Sequence, residues 1–332
     1  MGFALHHPCD GGILGAARPL SSRLTPSCNM IPSELKFTKL NSAGNDFLCI
    51  DNTDGKLDPV SKSQFCEEFV RTLTRRGLGI GADGVIVACD LNKHTGVDIT
   101  ARFLEPDGSE ASLCGNGTAC FTYWAITSGL VKGPHVTIST RAGTADAQVA
   151  PEDPRRVTVC VPDPTGVRHN VRLPIDGHEW VVDYVNTGVP HAVAYVDNLD
   201  RLDVEHWGKH IRHHAEFAPG GVNANFVEIL AEGRLAVRTY EFGVEAETLA
   251  CGTGSAAAAI LTTIRHEWAA EYRSGQKPVE VLTRSGRTLG IRFVWHGDEK
   301  VTDVCMQTRV DAVCDGVLRA ELAEDLEVKA RG

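Results

Sequence analysis

Short alternating stretches dominate the chain, and only a few segments have helical spacing. Leu35-Lys36-Phe37-Thr38-Lys39 and Phe47-Leu48-Cys49-Ile50 read as half-buried strands around an Asn-rich turn. Helical patterning is clearest at Lys62–Arg75, after Cys114, at Val204–His214 and after Cys251. The run Ala256-Ala257-Ala258-Ala259-Ile260-Leu261 is small and apolar on every side, which places its helix at the centre of a domain. Phe121-Thr122-Tyr123-Trp124-Ala125 is the bulkier counterpart in the first half. Each half therefore reads as mostly strands with one central helix, an α+β arrangement.

The two halves repeat each other. Cys114-Gly-Asn-Gly-Thr-Ala119 returns as Cys251-Gly-Thr-Gly-Ser-Ala256, and Val136-Thr-Ile-Ser-Thr-Arg-Ala-Gly143 as Val279-Glu-Val-Leu-Thr-Arg-Ser-Gly286. Upstream, Asn41-Ser-Ala-Gly44 matches Asn186-Thr-Gly188, and the offsets of 137, 143 and 145 residues keep the same order. Repetition at this length means two related domains rather than a solenoid. Pro151 to Pro154, rich in Pro and charge, is the expected linker. The resulting division has an N-terminal extension at 1–33, expected to be disordered, and halves at 34–152 and 153–303. A final strand at 304–320 is expected to return to the first half, followed by a tail at 321–332.

Composition narrows the function classes. The 332 residues suffice for two cores, and 42% hydrophobic with 23% charged residues describes a soluble globular protein. The net charge of −10, without any basic run, argues against nucleic acid as a partner, and no apolar stretch is long enough to span a bilayer. Eleven cysteines include no CxxC pair and follow no secretory leader, so mostly buried free thiols in a cytoplasmic protein are expected, with no metal site. Residues 1–30 are acid-poor and carry Arg18 and Arg23; a disordered extension or an upstream start, with Met30 as an alternative start, outweighs an organelle transit peptide.

The paired cysteine motifs carry the chemistry. A cysteine at a helix start lies beside unpaired backbone N–H groups and the positive end of the helix dipole, which favours the thiolate. The following glycines let an anionic group approach those N–H groups. Two such elements describe a paired thiol site around one carboxylate-bearing substrate.

Six segments together resemble the diaminopimelate epimerase family: Asn41-Ser-Ala-Gly-Asn-Asp-Phe47, Asp107-Gly-Ser-Glu110, Cys114-Gly-Asn-Gly117, Gly188-Val-Pro-His191, Val222-Asn-Ala-Asn-Phe226 and Glu247-Thr-Leu-Ala-Cys-Gly-Thr-Gly254. The resemblance runs in order from Leu35 to Leu318. It implies two pseudo-symmetric, strand-rich, barrel-like domains, each around a central helix, with the active site between them. It also implies cofactor-independent epimerisation at an amino-acid α-carbon, most simply LL-diaminopimelate to meso-diaminopimelate, with Cys114 and Cys251 as the acid/base pair. By the same resemblance Asn45 and Glu241 bind the reacting amino group and His191 supports the site. Gly115, Asn116, Gly252 and Thr253 offer backbone N–H groups to the α-carboxylate. Asn223 belongs to the pocket for the substrate's far end. The partner is a small amino acid, with a homodimer as the assembly to test.

Two positions depart from the family pattern. Phe242 stands where an arginine follows the glutamate, and Glu105 where an asparagine precedes Asp-Gly-Ser. Both changes remove attraction for a distal carboxylate, so a racemase of histidine, lysine or diaminobutyrate is the alternative, unless Arg102 or Arg238 supplies the missing charge. A related isomerase using a carboxylate, and a thiol redox or binding protein joining Cys114 to Cys251, are the other classes considered.

Overall fold

The computed structural model describes residues 34–57, 64–90, 96–111, 114–297 and 300–319. The expected extension at 1–33, with Met30, and the tail at 321–332 lie outside the described residues. So do Cys9 and Cys28.

In the first half, β1 (Lys36–Ser42), β2 (Asn45–Asp51), β3 (Gly84–Cys89), β4 (Ile99–Leu104), β6 (His135–Thr140), β7 (Gly143–Ala150) and β8 (Asp153–Cys160) pair in that order. The last strand, β17 (Val301–Val317), pairs with both β8 and β1 and closes an eight-stranded barrel. A two-residue strand, β5 (Glu110–Ala111), borders β4. Helix α1 (Gln64–Thr74) bridges β2 and β3, and α2 (Gly115–Thr127) runs through the barrel.

The second half follows the same plan with β10 (His178–Asn186), β11 (Pro190–Tyr195), β12 (Asn223–Ala231), β13 (Arg234–Tyr240), β15 (Val279–Leu282) and β16 (Thr288–Trp295). Strand β9 (Thr165–Ile175) pairs with β10, and the first part of β17 with β16. Helix α3 (Val204–Arg212) bridges β11 and β12, and β14 (Glu247–Thr248) borders β13. The central helix is α4 (Gly252–Arg265), followed by the short α5 (Ala270–Arg273). The signs of pairing repeat as well: β2 with β3 and β4 with β6 are parallel, as are β11 with β12 and β13 with β15.

Each central helix is buried nearly all round, which explains why its sequence is apolar without a stripe. Helix α2 packs with Phe47, Phe103, Val136 and Val159, and α4 with Val193, Val237, Val281 and Phe293. The outer helices are two-faced and cover separate cores, α1 over Leu48 and Val85, α3 over Trp180 and Phe226. The halves interlock: Ala43 from the β1–β2 turn lies in the core around α4. A Cβ at Gly44 would fall 2.9 Å from the Cβ atoms of Leu249 and Ser285.

Two expectations are corrected. Pro151–Glu152 is the tight turn of the β7–β8 hairpin, not a linker, since Ala150 pairs directly with Asp153. The chain instead passes between halves at 161–164, between β8 and β9. The cysteines are also not all free thiols: Cys160 and Cys305 form a disulfide. They face each other across β8 and β17, 145 residues apart, the same spacing as the internal repeat. Local Cys spacing could not reveal the bond because it joins equivalent positions of the two repeats. Cys49 and Cys120 are buried free thiols, whereas Cys314 is exposed. Among the described residues no helix is long and apolar enough to cross a membrane.

The close burial of α4 sets an expected outcome. Ala258 is fully buried, so Ala258→Leu forces a larger side chain into filled space and costs about 1–3 kcal/mol. A urea-unfolding midpoint equal to that of the unmodified protein would show that α4 has room around it.

Candidate active site

The site begins with two helix starts. Cys114 caps α2 with φ −131° and ψ 117°, and Cys251 caps α4 with φ −121° and ψ 114°. Each extended cap turns its sulfur back over the first helical turn. The Gly117 N–H donates to Cys114 Sγ and the Gly254 N–H to Cys251 Sγ, both at 3.4 Å. Glycine is required at 254, where a Cβ would stand 2.3 Å from Asn225 Oδ1. Met306 on the shared strand β17 separates the two helix starts: Cβ atoms built at Gly115 and Gly252 lie 3.2 Å from its Cε and 2.8 Å from its Sδ. Gly115, Asn116, Gly252 and Thr253 thus converge on one cleft from opposite halves.

Contrary to expectation, the helix starts do not leave the thiols ionised. Burial is the largest influence on Cys114 and pushes its pKa up to about 12; the Gly117 N–H opposes this, while Glu105 and Glu241 add to it. Cys251 is raised well above the usual thiol value by burial and by Glu241, against the pull of Thr253 and the Gly254 N–H. Two N–H groups cannot replace bulk water around a thiolate when the nearest charges are carboxylates.

Each sulfur has a polar neighbour of its own. Asn45 Oδ1 is 3.7 Å from Cys114 Sγ. Its amide is oriented because Asn45 Nδ2 donates to Asp83 Oδ2 at 2.8 Å, and Asp83 in turn accepts from Arg76 at 2.9 Å. Beside them, burial would raise Asp46, but Arg76 and Lys39 hold its carboxyl below the usual range. On the other side, Cys251 Sγ lies 3.5 Å from Thr253 Oγ1. His191 Nε2 is 3.0 Å from that oxygen, and its Nδ1 is 3.1 Å from Asn225 Nδ2. Asn225 Nδ2 shares its two hydrogens among His191 Nδ1 and the carbonyls of Ala192 at 3.0 Å and Asn223 at 3.3 Å, while its Oδ1 accepts from Thr239, which fixes the amide's orientation. His191 Nδ1 is therefore an acceptor, Nε2–H donates to Thr253, and the Thr253 hydroxyl hydrogen is free to point at Cys251. Burial lowers His191 to about 3, so the ring stays neutral across the physiological range.

The remaining expected residues divide. Glu241 accepts from Thr248 and is raised by burial, with Thr248 and Cys251 opposing and Glu105 and Asp83 reinforcing. Glu105 is exposed at the rim of the site, yet crowding on its inner side raises its carboxyl through desolvation, reinforced by Asp107 and Asp83. Asn116 is buried and accepts from Ser42 at 3.5 Å. Asn223 uses both ends of its amide on backbone, donating to Pro190 O and accepting from Phe242 N at 2.9 Å each. Phe242 is half exposed, with the Arg212 guanidinium 4.1 Å above its ring. Arg102 pairs with Glu110 and Arg238 with Glu247, so both candidate substitutes for the missing arginine are engaged. Sequence reasoning passed over Asn225, Asp83 and Met306. Asn225 had a visible signal, since it stands two residues after Asn223 on one strand and so shares its face.

Comparison with known proteins places the chain in a family. The sequence profile of the diaminopimelate epimerase family matches residues 37–165 and 183–305. The diaminopimelate epimerase of Aquifex aeolicus is 39% identical over 295 residues, covering 87% of this chain and 100% of that protein. That of Methanothrix thermoacetophila is 38% identical over 307 residues, 89% of this chain and all of that one. Two solved structures share the fold at low identity. A probable proline racemase from Agrobacterium radiobacter has a TM-score of 0.63 at 18% identity, covering 86% of this chain and 92% of that one. A hydroxyproline epimerase from Agrobacterium vitis has 0.64 at 15%, covering 86% and 91%. The protein is an isomerase, an epimerase of amino acids. It belongs to the diaminopimelate epimerase family.

The raised thiols have a measurable consequence. Both groups are protonated well above neutrality, so alkylation by iodoacetamide should be slow at pH 7 and rise about tenfold per pH unit until each pKa is approached. Thr253→Val removes a group that lowers Cys251, and should slow alkylation of Cys251 several-fold while leaving Cys114 unchanged. Peptide mapping by mass spectrometry reads each site; equal slowing at both would contradict the separate networks.

Proposed function

We propose that Cys114 and Cys251 invert the α-carbon of LL-diaminopimelate to give the meso isomer, one sulfur taking the α-proton and the other returning a proton from the opposite face. The single observation behind this reading is the pair of cysteine-capped helix starts meeting at Met306. Epimerisation by proton transfer needs a base and an acid on opposite faces of one carbon, and two opposed, half-buried thiols supply them without a cofactor. The unpaired N–H groups of the first turns of α2 and α4 are suited to the α-carboxylate, and to the charge that spreads into it as the carbanion forms.

Charge explains how a raised thiol becomes a base. The cleft of the free protein holds Glu105 and Glu241 with both carboxyls raised. A substrate ammonium received by Asn45 Oδ1 and Glu241 supplies the missing cation, lowering the carboxyl first and then the neighbouring sulfur. His191, through Thr253, keeps a hydroxyl aimed at Cys251. The reading places the reaction in the cytoplasm, on a free amino acid.

A second reading, a racemase for an amino acid with a cationic or neutral side chain, is favoured by Glu105 and Phe242. Arg212, the guanidinium against Phe242, is itself paired with Glu245 at 3.1 Å. The test is a panel of L-amino acids with LL-diaminopimelate, incubated in heavy water and scored for α-deuterium. Cys114→Ala and Cys251→Ala should each abolish epimerisation with the fold retained; near-normal turnover by either would exclude the two-base reading. Glu105→Asn with Phe242→Arg should then raise diaminopimelate turnover about tenfold or more, through an added charge-assisted contact. If the unmodified protein already favours diaminopimelate and the double variant is slower, the second reading fails.

A further inference from the structure

Away from the cleft, three side chains converge with no part in the chemistry above: Asp176, His206 and His210. His206 and His210 stand four residues apart on α3, so both rings lie on one face of that helix. Asp176 belongs to another element. It begins the two-residue turn of the β9–β10 hairpin, with positive φ at Asp176 (49°) and Gly177 (77°), the rigid turn that an Asp-Gly pair favours. Trp207, between the two histidines, packs on Trp180 of β10 at 5.3 Å between ring centroids, which holds the helix against the hairpin.

The ligand-type atoms all point to one spot. Asp176 Oδ2 is 3.4 Å from His206 Nε2 and 3.5 Å from His210 Nε2, and the three atoms lie within 4.8 Å of one another. A direct charge-assisted N–H···O bond is shorter, about 2.7–2.9 Å. Tetrahedral bonds of about 2.0–2.1 Å to a zinc-type ion put neighbouring ligand atoms roughly 3.4 Å apart. The spacing therefore suits a shared ion better than two ion pairs. His210 is also oriented for ligation: its Nδ1 is 2.8 Å from the His206 carbonyl, which can only accept. Nδ1 must carry the proton, so in the neutral ring Nε2 offers its lone pair toward Asp176. Such a backbone hydrogen bond on the far nitrogen is the usual support of a metal-bound histidine.

We propose that Asp176, His206 and His210 bind a divalent transition-metal ion of the zinc, cobalt or nickel type. Two imidazoles and one carboxylate favour these ions over magnesium or calcium, which prefer all-oxygen shells. All three groups are solvent-accessible, so water completes the coordination. The ion clips the tip of the β9–β10 hairpin to α3, making it a structural site of the second half.

The test uses the full chain, freed of metal by chelator and titrated separately with Zn²⁺ and Co²⁺. Calorimetry should count one more equivalent in the unmodified protein than in a His206→Gln, His210→Gln double variant. Asp176→Asn should weaken that equivalent by at least the roughly 10–100-fold that loss of even a second-shell partner costs. Saturating Zn²⁺ should raise the Tm of the unmodified protein by about 5 °C, and that of the double variant by less. Bound Co²⁺ should show the visible bands of a nitrogen- and oxygen-ligated ion rather than thiolate charge transfer. Metal-free circular dichroism and epimerase turnover should match between the two proteins, so a lost equivalent is not misfolding. Equal stoichiometry and equal Tm shift in both proteins would overturn the proposal, as would thiolate bands for every cobalt bound.

Discussion

A buried helix leaves its first N–H groups without partners, and a fold that buries two such helices must bring both starts to a place where something can accept those hydrogens. Here that place is a single cleft. Both central helices are wrapped by strands on every side, so their N-termini are the polar points of two apolar cores. Cys114 and Cys251 satisfy one N–H each through sulfur, a weak acceptor, which leaves the remaining donors available to a carboxylate. The proposed catalytic geometry rests on this constraint, because the group that caps each helix also lies beside its unpaired N–H groups.

The same burial decides the protonation state. Helix dipoles favour thiolates, but the surrounding protein removes much of the water from both sulfurs, with Glu241 near each and Glu105 near Cys114. Desolvation outweighs the N–H contacts and both thiols are raised. In the proposed reaction an α-ammonium would offset the negative charge that Glu105 and Glu241 bring to the sulfurs. His191 keeps its place in this arrangement by staying neutral: a charged ring against Thr253 and Asn225 would cost more than the buried network could return.

Repetition supplies the alignment. Both halves have the same order of parallel and antiparallel pairs, and β17 belongs to both, pairing with β16 through its first part and with β8 and β1 further on. Met306 on that strand touches both helix starts, and the Cys160–Cys305 disulfide ties it to β8 at equivalent positions of the repeat. A strand fixed at so many points leaves the two cysteine caps little freedom to separate.

Much of this was legible in the chain. The all-apolar run at Ala256–Leu261 could only be a central helix, because no face of it could meet water. The paired Cys-Gly-x-Gly segments announced two helix starts, since glycine is needed where a backbone must be approached closely. Local pattern could not supply whatever depends on distant residues meeting. Burial, not the helix start, sets the thiol pKa, and burial is a property of the closed barrel. Pro151–Glu152 had the composition of a linker yet turns a hairpin, because Ala150 and Asp153 find each other across it. The relay from Asn225 through His191 and Thr253 to Cys251 joins two strands and a helix start, and the Cys160–Cys305 bond spans 145 residues. Sequence determined which groups exist and which elements carry them; only the tertiary structure decided which groups share a cavity, because water exclusion and hydrogen-bond geometry arise from chain segments far apart.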